Sequence, residues 1–107
     1  MRIELSRLAQ FDLIEVVATI AADRPSAARR WKARLDKAIG QIADFPGIGT
    51  RREELAPGMR SFPVPPFLIL YRIPGDDSIE VLRVVHGARD LPHLMSPQDQ
   101  PPETGSF

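Results

Sequence analysis

The chain has 107 residues, equal numbers of basic and acidic side chains at 14 each, and no cysteine. This length fits one domain, and the zero net charge argues against a protein that binds nucleic acid through bulk positive charge. The sequence offers no disulfide framework, no apolar run long enough to span a bilayer, no secretory leader and no zinc or nucleotide motif, so we expect a cytoplasmic protein without metal or cofactor.

The chain begins with a pattern that predicts a short strand and a helix. Ile3 and Leu5 alternate with polar residues over residues 2–6, which is typical of a half-buried strand, and Ser6 is suited to cap the helix that follows. That helix runs from Arg7 to Ala22. Apolar residues recur along it at three- and four-residue steps, namely Ala9, Leu13, Val16, Val17 and Ile20.

A second helix begins at Pro25, because proline suits the first position of a helix and disfavours helix in the residue before it. It ends near Asp44, where a Pro-Gly-Ile-Gly segment supplies the stop. So short a link between the helices predicts an antiparallel αα-hairpin. The stripe of this second helix is the clearest pattern in the chain and comprises Ala28, Trp31, Leu35, Ala38, Ile42 and Phe45.

The second half of the chain predicts an antiparallel meander of three strands, over residues 59–64, 67–72 and from 79 onward. A charged linker, 50–54, precedes it as a solvated loop or, alternatively, a mobile contact surface. The fold class is therefore α+β, with a short N-terminal strand, an αα-hairpin and the meander. We expect residues 1–95 to form this domain and residues 96–107 to form a flexible tail.

A polar cluster marks the end of the last predicted strand and contains Arg83, His86, Arg89 and Asp90. Arginines there are suited to hold phosphate or carboxylate groups, and a histidine can exchange a proton near neutral pH. The structural alternative is that His86 begins a tight exit turn, that Arg89-Asp90 is a solvated pair, and that Arg83 has a partner, as an arginine in an apolar strand requires.

The two preceding strands bring further polar residues to the same region. Arg60 and Arg72 can join the cluster, because adjacent antiparallel strands bring side chains within about 5 Å of one another. Alternation places Phe67, Ile69 and Tyr71 on one face, so a core position with a satisfied hydroxyl is favoured for Tyr71 over a catalytic role.

Seven short motifs follow one another along the chain: Asp12-Leu13, Pro25-Ser26-Ala27-Ala28, Phe45-Pro46-Gly47-Ile48-Gly49, Arg52-Glu53-Glu54-Leu55, Gly58 to Val64, Tyr71-Arg72 and Arg83 to Asp90. Their order and spacing over residues 2–95 resemble the RelE/ParE superfamily of bacterial toxins, and its ParE branch in particular. Pro65-Pro66 departs from the family pattern, which has a glycine-containing turn there.

The resemblance implies the toxin of a type II toxin–antitoxin system that inhibits DNA gyrase. It implies a ParD-like antitoxin that neutralises the toxin in a hetero-oligomer and makes the only DNA contact. The polar cluster is then the predicted target contact, at Arg60, Arg83, His86, Arg89 and Asp90. An incoming antitoxin helix would fill a groove on the helical hairpin, with contacts at Leu13, Val17, Trp31 and Leu35; the alternative for Trp31 and its stripe is a core position.

Two alternatives remain open for the function. RelE-like members of the superfamily cut messenger RNA on the ribosome, and in that case His86, Arg83, Arg60 and Glu54 are the catalytic candidates. The gyrase-directed function is favoured on the resemblance to the ParE branch, and the chain lacks the lysine after Lys37 and the tyrosine from Leu91 onward that the nuclease would be expected to have. The other alternative is a non-toxic module that only binds its antitoxin.

Overall fold

The computed structural model describes residues 2–75 and 77–88, and over these residues the chain forms two α-helices, a short 3-10 turn and five strands. All the predicted helices and strands are present, and each begins within one residue of its predicted position. The predicted tail, 96–107, lies outside the described residues. In chain order the elements are β1 (Arg2–Leu5), α1 (Arg7–Asp23), α2 (Pro25–Asp44), the 3-10 turn (Pro46–Ile48), β2 (Thr50–Arg51), β3 (Arg60–Val64), β4 (Phe67–Arg72) and β5 (Ser78–His86).

Local sequence sets the ends of the helical hairpin. The side-chain oxygen of Ser6 accepts the N–H of Ala9 at 3.0 Å, so Ser6 caps α1 as predicted. Pro25 occupies the first turn of α2, and Arg24 alone links the two helices, which pack against each other as the predicted hairpin. Phe45 was predicted to continue the α2 stripe, but it follows the last helical residue and is 67 % exposed.

The described strands form one mixed sheet in the order β1-β5-β4-β3-β2. β3, β4 and β5 are the predicted antiparallel meander, whereas β1 runs parallel to β5, with Ile3 opposite Ile79 and Leu5 opposite Val81. The linker predicted as a loop contains β2, which pairs with β3 at the other edge. Two residues are too few to show an alternating pattern, so this strand could not be predicted from periodicity.

The helices cover one face of the sheet, and the main core lies between them and that face. Phe67, Ile69 and Tyr71 belong to this core, as their alternation along β4 predicted. Trp31 of α2 lies edge-on to Phe67, with ring centroids 5.4 Å apart, and its Nε1 donates to the carbonyl oxygen of Val64 at 3.0 Å. The largest side chain of α2 therefore anchors that helix to the sheet.

The hydroxyl group of Tyr71 forms hydrogen bonds with two residues of the bend that follows α2. This hydroxyl donates to the carbonyl oxygen of Pro46 at 2.7 Å and accepts the N–H of Gly49 at 2.9 Å. A Cβ at position 49 would stand 2.6 Å from the hydroxyl oxygen and 2.9 Å from the carbonyl oxygen of Ser61, so this close approach requires glycine. Burial raises the pKa of Tyr71 above its ordinary 10.0, and the Gly49 N–H and the charge of Arg60 oppose that shift.

We expect Tyr71→Phe to lower the free energy of unfolding by about 1–3 kcal/mol, because the Gly49 N–H then stays buried without its acceptor. Urea unfolding of both proteins measures this loss. Because the pKa of Tyr71 is raised in the folded state, the unfolded chain releases the Tyr71 proton at a lower pH than the folded chain does. The stability that the Tyr71 hydroxyl adds is therefore complete below pH 10.0 and decreases as the pH rises through the folded-state pKa. The gap between the proteins should therefore narrow above that pH. Equal stability at neutral pH would contradict this account.

Candidate functional site

Beyond the end of β1, residues at the start of α1 form the hydrogen bonds to the edge of β5. The N–H of Ser6 donates to the carbonyl oxygen of Val81 at 2.9 Å, and the Ser6 hydroxyl donates to the carbonyl oxygen of Leu82 at 2.8 Å. Further along, the N–H of Val84 donates to Oδ2 of Asp12 at 2.9 Å. The start of α1 therefore satisfies backbone groups that a bare strand edge would leave open.

The same carboxylate holds Arg83, the first residue of the predicted cluster. The Arg83 Nε donates to Oδ2 of Asp12 at 2.8 Å and its Nη2 donates to Oδ1 at 3.1 Å, which makes a bidentate pair. The Arg83 side chain remains 31 % exposed and the Asp12 side chain 14 %. Asp12 is thus the partner that an arginine within an apolar strand requires, and contact between Arg83 and a target stays a prediction.

Arg60 lies at the start of β3, opposite Arg51 of β2 and Tyr71 of β4. Its Nη1 donates to the carbonyl oxygens of Gly47 at 3.2 Å and Gly49 at 2.8 Å. Arg60 therefore stabilises the same bend that closes on the Tyr71 hydroxyl. Its contact with a target also stays a prediction.

His86 ends β5 beside the turn between β3 and β4. Its half-buried ring lies edge-on to that of Phe67, with centroids 5.5 Å apart, and its Nδ1 accepts the N–H of Ala88 at 3.2 Å. The N–H of Gly87 donates to the carbonyl oxygen of Pro66 at 3.1 Å. His86 thus begins a tight exit turn and bonds to backbone, which is the arrangement of the structural alternative.

Arg60, Arg83 and His86 do not form one cluster in the structure. Arg60 and His86 share the helix-covered face but lie near its opposite ends, because their β4 partners, Tyr71 and Phe67, are four residues apart. Four residues of strand separate the two rows by about 13 Å. Arg83 pairs with Leu70, which points to the other side of the sheet, so the Arg83 side chain leaves the strand on that side. Its guanidinium lies at the edge of β5, where Asp12 of α1 holds it.

Arg72 and Glu54, two further residues predicted to be functional, each form an ion pair with a neighbouring side chain. Arg72 ends β4 and forms an ion pair with Glu80, with 3.0 Å between Nε and Oε1. Glu54 lies in the exposed linker, 3.7 Å from Arg52. The pair Arg89-Asp90 lies outside the described residues.

Two of the four residues predicted for antitoxin contact belong to the protein's own core. Trp31 is 3 % exposed and Leu35 is 1 % exposed, because both pack between α2 and the sheet and so offer no surface to a partner. Leu13 and Val17 of α1 are only half-buried. These two residues are the part of the predicted surface that a partner can reach, and their contact with an antitoxin stays a prediction.

An apolar groove with a basic rim runs between α1 and α2. The part along α1 has a volume of about 420 Å³ and is lined by Leu13, Ile14, Val17 and Ala18. The part along α2 has a volume of about 350 Å³, and its lining comprises Val17, Ala28, Arg29, Lys32, Ala33 and Asp36. Val17 therefore joins the two parts. The rim was not predicted, although its sequence signal was present in the five basic and two acidic residues of α2.

The described part of the chain contains neither a cluster of metal-ligating side chains nor a membrane-spanning helix. Within residues 2–75 and 77–88, no three His, Asp or Glu side chains come close enough together to hold a metal ion. Neither α1 nor α2, the helices of that same part, is long and apolar enough to cross a membrane.

Comparison with known proteins points to one family. The family model described as "ParE toxin of type II toxin-antitoxin system, parDE" matches residues 3–91. "Toxin ParE3" of Caulobacter vibrioides is 36 % identical over 58 residues, which are 54 % of this chain and 57 % of that protein. "Toxin ParE1" of Mycobacterium tuberculosis is 33 % identical over 64 residues, which are 60 % of this chain and 65 % of that protein. The chain thus spans less than two thirds of either relative's length.

A solved structure shares the fold. A chain of the "Chromosomal ParDE TA system from P. aeruginosa" superposes with a TM-score of 0.68 at 21 % sequence identity, and the match covers 80 % of this chain and 95 % of that chain. The α+β fold predicted from the sequence is therefore confirmed.

We expect Asp12→Ala to lower the free energy of unfolding by about 2 kcal/mol, because it removes the acceptor of the Val84 N–H and the partner of the half-exposed Arg83. Asp12→Asn keeps an acceptor of the same shape and should cost about half as much. Glu15→Ala removes an exposed carboxylate from the same helix and should stay within about 0.5 kcal/mol of wild type. Denaturant unfolding compares the three variants. If Asp12→Ala costs no more than Glu15→Ala, the proposed role of Asp12 is wrong.

Proposed function

This chain belongs to the ParE toxin family, and from that premise we propose that it is the toxin of a type II toxin–antitoxin system, acts in the cytoplasm and arrests growth by inhibiting DNA gyrase. A ParD-like antitoxin neutralises it in a hetero-oligomer, and the antitoxin makes the DNA contact of that complex. Residues 1–95 form the toxin domain in this proposal. The observation that carries the proposal is the family match over residues 3–91.

The placement of the polar residues supports a binding protein over a ribonuclease. Acid–base cleavage requires a proton-transferring group within hydrogen-bond reach of the reacting atoms, with arginines around the same phosphate. Among the described residues, His86 and Arg60 lie near opposite ends of one face of the sheet, and the guanidinium of Arg83 lies at the edge of β5, bonded to Asp12. One phosphate group cannot contact all three in this arrangement, so inhibition by binding is the better fit.

The groove between α1 and α2 is the antitoxin site of this proposal. The groove has an apolar lining and a basic rim, in which Arg29 and Lys32 outnumber Asp36, the ion-pair partner of Lys32. These features fit an amphipathic helix with an apolar stripe and an acidic flank. Leu13 and Val17 contact that helix. Trp31 and Leu35, which were predicted as contacts too, instead support the groove from the core.

Induced expression in a bacterium tests the target. A gyrase-directed toxin should cause filamentation and a DNA-damage response while protein synthesis continues. Rapid loss of translation would instead indicate a ribosome-dependent nuclease, and unchanged growth would indicate a non-toxic module that only binds its antitoxin. Either of these last two outcomes contradicts the proposal.

His86→Gln sharpens this experiment. We expect growth arrest to be preserved at matched protein levels, because glutamine keeps an acceptor for the Ala88 N–H but does not titrate near neutral pH. A proton-transferring His86 would lose on the order of a hundredfold or more in cleavage rate on the same change. Cleavage of ribosome-bound messenger RNA by wild type that vanishes in His86→Gln would overturn the gyrase proposal.

The basic rim gives a prediction about the antitoxin. Reversing both rim charges with Arg29→Glu and Lys32→Glu should weaken binding of the cognate antitoxin by about tenfold or more, chiefly because association becomes slower. The association rate should also depend less on salt concentration. The matched control is Arg30→Glu with Lys37→Glu, which changes the charge of α2 equally at exposed positions outside the groove lining. Binding kinetics on immobilised antitoxin measure both. Equal losses in the two double variants would mean that the groove is not the site.

A further inference from the structure

Helix α1 carries apolar residues on both of its faces. Ala9 and Val16 lie in the core, yet Leu8, Phe11 and Ile14 are 57 %, 59 % and 66 % exposed. A surface helix of a monomeric protein normally has a polar outer face. Three large apolar side chains in a row on the outside of one helix mark a surface that a partner covers.

Residues at equal distances before and after Phe11 form pairs of complementary chemistry, either two apolar side chains or two opposite charges. Leu8 and Ile14 stand three positions before and after it, and Arg7 and Glu15 stand four positions before and after it. Positions three and four apart share one face of a helix, so all five residues lie on the same exposed surface. Among the described residues neither Arg7 nor Glu15 has an ion-pair partner. The outer face is therefore self-complementary under a twofold rotation through Phe11.

We propose that this face binds a second copy of the same chain, with the two α1 helices packed antiparallel about a twofold axis at Phe11. Phe11 then contacts the partner's Phe11, and Leu8 contacts the partner's Ile14. Arg7 forms an ion pair with the partner's Glu15, and the symmetry makes every one of these contacts except that on the axis occur twice. Apolar contacts at the centre with charges at the rim are the usual composition of such an interface.

The proposed dimer interface is small, so we expect the dimer to be weak. One helix from each copy buries less than the about 1,200 Å² of the smallest stable specific interfaces, so the dimer should dissociate in the micromolar range. Its centre lies at Phe11, but Ile14 also lines the α1 part of the groove, so the dimer and an antitoxin in the groove would share this side chain. The dimer does not depend on the gyrase proposal, and a failure of one leaves the other standing.

Charge reversal at exposed positions provides the test, with sedimentation equilibrium of the purified full chain as the measurement. Arg7→Glu and Glu15→Arg should each weaken the wild-type dimer at least about tenfold, because each places like charges together at both ends of the interface. An equal mixture of the two variants should dimerise again, since every contact between the unlike chains then joins opposite charges. Arg30→Glu, an exposed change of the same charge on α2, should leave dimerisation unchanged.

A cysteine at the axis locates the interface independently of charge. The chain has no cysteine of its own, and helices packed about 8–10 Å apart bring Cα atoms on the axis within reach of a disulfide. Phe11→Cys should therefore form a covalent dimer on mild oxidation, and Lys37→Cys on α2 should not.

Three results would overturn the proposal: a wild-type chain that stays monomeric to hundreds of micromolar, as expected if residues 89–107 or only an antitoxin cover this face; single variants that dimerise like wild type; or a mixture of variants that stays monomeric.

Discussion

The carboxylate of Asp12 is the contact on which the arrangement of the helices over the sheet depends. β1 has four residues and β5 has nine, so β5 continues beyond its parallel neighbour. α1 begins at that point, and Asp12 binds both the N–H of Val84 and the guanidinium of Arg83. Without it, β5 would present an open edge to other chains. With α1 fixed there, α2 folds back beside it, and the groove and the outer face of α1 follow from that placement.

Patterns of short range predicted most of the fold. Periodicity located α1 and α2, Ser6 and Pro25 set their first residues, and alternation placed Tyr71 in the core. The pairing of β1 with β5 was not predicted, because alternation shows that a strand is half-buried but not which strand lies beside it. The bond between Asp12 and Arg83 joins residues 71 positions apart, and no local pattern reports a contact of that range.

The candidate site was harder to predict than the fold. Arg60, Arg83 and His86 are close in predicted strand order, yet β5 has a register irregularity opposite Leu70 and Tyr71, and the side chains divide between two faces of the sheet. The exposed Phe11 face was missed because each helix was assigned a single apolar stripe, and a helix with apolar residues on two faces needs a second partner outside the fold. The basic rim was missed because charge was counted over the whole chain, where it cancels.

Antitoxin binding and self-association are proposed on adjoining parts of α1 that share Ile14, and gyrase inhibition is the central proposal. The most direct measurement is DNA supercoiling of relaxed plasmid by purified gyrase in the presence of the purified chain. We expect supercoiling to fall as the chain is added and to recover when its cognate antitoxin is supplied. Undiminished supercoiling at a large excess of a chain that still arrests growth in cells would contradict it.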